Sequence, residues 1–197
     1  MNTNARSTRG CGSGDVRDLL RTRTAAIHAR LDVLFADGLA TPGHYAGYIA
    51  GMHRFATDYE IVIGALPRHS FWLAGDLQHL GLTPLPPSGV CTPVADTAER
   101  LGWEYVMAGS SVGARYLVRQ AAALGHGETA GACFLARHAG GEDWPRMLAR
   151  LEAVSPADDA LVSRLERGAR EAFILAHRCL ERGLAAYPDA LQKETAA

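Results

Sequence analysis

His28 is a candidate for a neutral nitrogen ligand to a metal. It follows a run in which Val16, Leu19, Leu20, Ile27, Leu31, Leu34 and Phe35 recur at helical spacing, and that spacing predicts a helix over 15–38. At about 100° per residue, His28 lies at the edge of the apolar stripe, with Thr24 and Arg21 within about 40° of it. An imidazole, a small hydroxyl and a cation therefore border one core-facing helix. A sheltered but reachable imidazole suits a metal, and a cation one or two turns away suits an acidic group on the same ligand. The plainer reading is a boundary histidine bonded to a neighbour, with a solvated arginine.

The second group is a stripe of glycines. Gly102, Gly109 and Gly113 fall at intervals of seven and four, which puts them on one face of a helix. Each glycine costs about 1 kcal/mol against alanine in a helix interior. Three on one face call for a physical reason: close approach of another helix, a flat ligand lying where a Cβ would collide, or a local kink. The same segment also reads Gly109-Ser110-Ser111-Val112-Gly113, a G-x-S-x-G pattern with Asp158 and His177 following in hydrolase order. A nucleophile elbow needs a strand before Ser111 and a sheet around it, and the sequence offers no series of strands.

Other chemistry is excluded or unsupported. Neither Glu-x-x-His nor His-Glu-x-x-His occurs, and no phosphate-binding Gly-Lys loop is present. His44, His53, His69, His79, His126, His138 and His177 show no ligand-like spacing and are expected at the surface or its boundary. Cys11, Cys91, Cys133 and Cys179 are widely separated, which fits a reducing compartment and no zinc ribbon; Cys133 is expected to be a structural cysteine.

The elements that must position these groups are helices. Thr41-Pro42 reads as an N-cap and first helical proline, opening a helix that Pro67 ends. Further helices are expected over 69–80, from Pro93 to about Leu124, over 128–138, over 142–153 and over 157–187, with a proline-rich connection over 81–92. Residues 1–14 read as a flexible tail, and 15–197 as one all-α domain of six to eight helices. The length of 197 residues suits one domain, and 48% apolar and 21% charged residues are globular values. A net charge of −1 gives no field for nucleic acid. The longest stretch without Asp, Glu, Lys or Arg, 77–95, carries Pro84, Pro86, Pro87 and Pro93 and is no membrane span. The first residues hold no apolar secretion segment, so a cytoplasmic location is expected.

Two segments carry a family resemblance. Leu20-Arg21-Thr22-Arg23-Thr24-Ala25-Ala26-Ile27-His28-Ala29-Arg30-Leu31 resembles the proximal helix of the biliverdin-forming heme oxygenases. Tyr105-Val106-Met107-Ala108-Gly109-Ser110-Ser111-Val112-Gly113 resembles their distal helix, most of all in the bacterial branch found beside bacteriophytochromes. Trp144 and the stretch 170–180 are similar, more weakly, to later helices of that family. The resemblance implies a heme-oxygenase-like helical bundle holding heme as substrate and cofactor, with His28 as the iron ligand. Gly109, Ser110 and Gly113 would form the catalytic distal wall. Arg21, beside Thr24, and Tyr105 would meet the propionates, and Arg146 or Arg150 would supply a cation from a later helix. The reaction implied is oxidative cleavage of heme to biliverdin, iron and carbon monoxide. It would use O2 and electrons from a ferredoxin or flavoprotein reductase, because no flavin or nicotinamide motif is present. A bacteriophytochrome would be the recipient of the biliverdin. Two positions depart from the pattern: Ser110 stands where many members have aspartate, and Ala108 where the bacterial branch often has glutamate. Both bear on oxygen activation, and the alternative is a non-catalytic heme binder on the same fold.

Overall fold

The computed structural model describes residues 15–89 and 92–188, so the expected tail over 1–14 lies outside the described residues. Those residues form seven α-helices and no strand longer than an isolated bridge. They are α1 (Val16–Leu34), α2 (Pro42–Ile63), α3 (His69–His79), α4 (Thr97–Ala123), α5 (Cys133–Gly140), α6 (Asp143–Glu152) and α7 (Asp159–Ala186). The Thr41 hydroxyl accepts the His44 N–H at 3.1 Å, so the cap that opens α2 is the one its sequence announces. Asp15, Asp96 and Asp158 cap α1, α4 and α7 in the same way. The first helix stops at Leu34, a turn before the expected Asp37-Gly38. Phe35 leaves helical geometry at ψ 35°, and Gly38, at φ 68°, turns the chain so that Leu39 enters the core. The 128–138 segment becomes helical only from Cys133.

α7 is the central support. α1, α2 and α4 all pack on it. It crosses two of them backbone to backbone. A Cβ on Gly102 would stand 2.1 Å from the Leu165 carbonyl oxygen, and one on Gly168 would stand 2.0 Å from that of Glu99. At the other end of α7, a Cβ on Gly183 would stand 2.1 Å from the Gly47 carbonyl oxygen. Small residues at these crossings draw the axes together, and Ile49, Phe55, Leu165, Ala169 and Ala172 fill the core around them. α1 and α4 both pack on α7 and on α6, yet they do not pack on each other. The two helices that carry the sequence-derived candidate residues therefore stand apart, and Trp144 of α6 reaches Arg17 on one and Tyr105 and Gly109 on the other across the gap between them.

Candidate functional site

On the α1 side of this gap stands His28. Its Nδ1 lies 2.9 Å from Asp32 Oδ2, one helical turn on. With Nδ1–H donating to that carboxylate, the lone pair sits on Nε2, and a second-layer carboxylate of this kind orients an imidazole as a ligand. The His28 side chain is 56% exposed, so the nitrogen is accessible. Its ring meets the edge of the buried Phe173 on α7 at 5.6 Å between centroids, which fixes the imidazole plane. Asp32 was legible as an i,i+4 partner of His28 but carries no signal of its own.

On the α4 side the glycine stripe divides by role. Gly102 serves the helix crossing. Gly109 does not: the nearest atom to a Cβ there would be Trp144 Cζ3, at 3.6 Å. Around a Cβ on Gly113 nothing lies within 4 Å. The same helix exposes Val112 and Tyr116 beside it, 47% and 61% accessible. This half of α4 thus offers a flat, side-chain-poor face with apolar flanks. Towards the start of α1, Tyr105 is buried, its ring 5.8 Å from that of Trp144, and the Arg17 guanidinium lies 5.9 Å from the Trp144 ring centre. Burial pushes the Tyr105 phenol up, and the nearby Arg17 and Arg21 pull it back. Two cations and a phenol therefore share the end of the gap where α1 begins. Arg17, one turn before Arg21 on the His28 stripe, is absent from the sequence-derived candidates.

The other expected residues have partners of their own. Thr24 is buried, and its hydroxyl donates to the Leu20 carbonyl at 2.7 Å. Arg150 pairs with Glu104 at 2.5 Å and Arg146 with Glu142 at 2.7 Å, and both arginines line a cavity of about 260 Å³ with Tyr59, Arg68 and His69. The hydrolase reading is overturned. Ser111 sits inside α4 with its hydroxyl donating to the Ala108 carbonyl at 2.7 Å, His177 pairs with Glu181 at 3.0 Å, and Asp158 is a helix cap. A serine tied into helical backbone cannot form the exposed strand-to-helix elbow that such a nucleophile needs.

The chain is 33% identical over 176 residues to the heme oxygenase PigA of Pseudomonas aeruginosa, a match that spans 80% of this chain and 87% of that protein. The chain belongs to the heme oxygenases. Its fold matches that of the NO- and CO-bound heme oxygenase from Neisseria meningitidis with a TM-score of 0.66 at 23% identity, over 87% of this chain and 92% of that one. No family model matches the chain.

In this heme oxygenase α4 also meets, through Ser110, a polar cluster that the sequence did not reveal. His69 and His138, expected near the surface, are buried at 5% and 2% exposure. Each has a polar partner from another helix, Glu60 for His69 and Ser110 for His138, beside local neighbours. His69 Nε2 accepts from Arg68 at 2.8 Å, and its Nδ1 lies 3.7 Å from Glu60. His138 stacks on Phe134 at 4.9 Å and meets Ser110 at 2.8 Å through Nε2. Burial pushes the Glu60 carboxyl up, but hydrogen bonds from His69, Ser70 and the Arg68 backbone outweigh it and hold the group down at about 2. His69 and Arg68 hold Asp143 well below the usual carboxylate range. His69, His138 and Asp143 bring ligand-type atoms within 4.8 Å of one another, but the Arg68 guanidinium, bonded to His69 and Asp143, already supplies the positive charge there.

Proposed function

We propose that the gap between α1 and α4 is the heme site of this enzyme, with His28 Nε2 as the axial ligand to iron. The observation that carries this is the pairing of a carboxylate-oriented, exposed imidazole on one helix with a side-chain-poor face, open at Gly113 and met by Trp144 at Gly109, on another that does not touch it. As a heme oxygenase, the chain is an enzyme that cleaves heme to biliverdin. Bound heme supplies both the iron at which O2 is reduced and the porphyrin ring that is opened, with release of iron and carbon monoxide.

The chain's own residues bind and orient. Asp32 and Phe173 hold the His28 ring in one tautomer and one plane. Gly109 and Gly113 let the ring system lie flat against α4, leaving room for a small ligand on that side. Arg17, Arg21 and Tyr105 form a corner for the two propionate carboxylates, charge-assisted and directional. Ser110, half-buried and about 60° round the helix from Gly113, borders the same face with a hydroxyl. Positioning and hydrogen bonding, not attack by a side chain, are the protein's contribution. The electrons come from a separate ferredoxin or flavoprotein reductase. The finer assignments in this reading are a bacteriophytochrome as recipient of the biliverdin and the cytoplasm as location; among the described residues no helix is long and apolar enough to cross a membrane.

The test is hemin titration followed by ascorbate in air, with catalase present to remove free peroxide. The expected result is a Soret band that gives way to the absorption of biliverdin. A stable complex that never turns green would leave only heme binding and contradict the catalytic reading.

A further inference from the structure

The distal wall has Ser110 where a carboxylate is common in the family, and the structure shows what stands behind it. Ser110 Oγ lies 2.7 Å from the Met107 carbonyl oxygen and 2.8 Å from His138 Nε2. A hydroxyl has one hydrogen, and a carbonyl can only accept. Ser110 therefore donates to Met107, and His138 Nε2 must carry a hydrogen and donate to Ser110. The remaining ring nitrogen, His138 Nδ1, is then a lone pair, buried and without a hydrogen-bond partner. His138 stands against the charged cluster, with its ring 5.3 Å from that of His69 and Arg68 and Asp143 close enough to act on its charge.

We propose that His138 is a positioning residue for the distal side of this heme oxygenase: through its Nε2–H it holds Ser110 Oγ in place and so sets where the Ser110 hydroxyl can point. The proposal rests on the assignment of the Gly109–Gly113 face as the heme site. When an oxygen acceptor lies against that face, Ser110 Oγ–H turns from Met107 and donates to it. His138 Nε2–H stays bonded to Ser110 Oγ as the hydroxyl turns, so the oxygen is held in place while its proton faces the acceptor. Burial drives the imidazole pKa down to about 3, with His69 and Arg68 adding to the shift and Asp143 opposing it. The ring therefore stays neutral, with its Nε2–H available to Ser110.

Two measurements test this. In the ligand-free chain, nitrogen NMR of the histidine rings should show His138 as the neutral Nε2–H tautomer at pH 7 and still neutral at pH 5. The Nδ1–H tautomer, or a charged ring at pH 5, would overturn the proposal. In the hemin complex, Ser110→Ala and His138→Phe should each keep the Soret band. Each should lower the maximal rate of biliverdin formation about tenfold, the worth of one hydrogen bond, and the double variant should be no slower than either. His138→Gln, which can return an N–H to the Nε2 position, should recover most of the rate. Losses that multiply in the double variant, or a full rate in folded His138→Phe, would overturn it. If His138→Phe does not fold, His138→Gln decides: a rate as low as that of Ser110→Ala contradicts the role. A wild-type chain that binds no hemin overturns the heme site itself. Wild-type turnover with unaffected variants overturns only the part played by His138.

Discussion

Replacing Gly113 with alanine should stabilise the ligand-free chain, and the same change at Gly102 should destabilise it. The two glycines share one stripe of α4 but face different surroundings. At Gly113 the new methyl meets nothing within 4 Å. The expected effect is the gain in helix propensity alone, about 1 kcal/mol, or roughly 2–4 °C in Tm for a chain of this size. At Gly102 the methyl would stand 2.1 Å from the Leu165 carbonyl oxygen and 2.6 Å from the Ala169 amide nitrogen. Backbone cannot step aside as a side chain can, so α4 and α7 must part at their crossing. Overpacking of this kind costs about 1–3 kcal/mol, occasionally more, which outweighs the propensity gain and lowers Tm by several degrees. The assay is thermal unfolding of the apo-protein followed by circular dichroism at the helical band. Hemin titration of the same proteins supplies the second half: Gly113→Ala should bind hemin at least about tenfold more weakly, because the methyl occupies the face on which the ring lies. If both variants moved Tm in one direction, or if Gly113→Ala bound hemin like the wild type, the division of the stripe into a packing glycine and a binding glycine would be refuted.

Arg21→Ala should weaken hemin binding several-fold in an equilibrium titration, and Arg146→Ala should leave it unchanged, because the exposed Arg146 is already paired with Glu142 at the cap of its own helix. Glu60→Ala strands the backbone N–H groups of Arg68, His69 and Ser70 at the start of α3 and should cost at least about 3 kcal/mol in urea denaturation. The Glu60 carboxyl has a folded pKa of about 2, below its unfolded value of 4.5, so the stability it contributes is complete above pH 4.5 and is lost as the pH falls towards 2. His138, with its folded pKa near 3 against an unfolded 6.5, acts in the same direction: stability falls as the pH drops below 6.5, and His138→Phe should flatten that decline in urea midpoints measured between pH 7 and 4.5.

Much of this architecture is legible in the sequence because helix signals are local. The Thr41-Pro42 cap and the 3.6-residue spacing of apolar side chains state their own geometry. Periodicity also places Arg21, Thr24 and His28 on one border of α1, although Thr24 turns its hydroxyl to its own helix. What periodicity cannot state is what lies opposite. Gly102 and Gly109 are indistinguishable on a helical wheel, and only the arrival of α7 at one and Trp144 near the other separates them. The buried histidines escape notice for the same reason. His138 becomes a sheltered imidazole through Ser110 and His69, which come from distant parts of the chain; only Phe134, one turn before it on α5, is a local neighbour.

The central claim is that heme iron binds His28 across the gap between α1 and α4. Hemin titration of the wild type and of His28→Ala, read by the visible spectrum with and without added imidazole, tests it most directly. The wild type should give a histidine-ligated Soret band, His28→Ala should lose that band, and imidazole should restore it. A His28→Ala complex with the wild-type spectrum and affinity would place the axial ligand elsewhere and contradict the account.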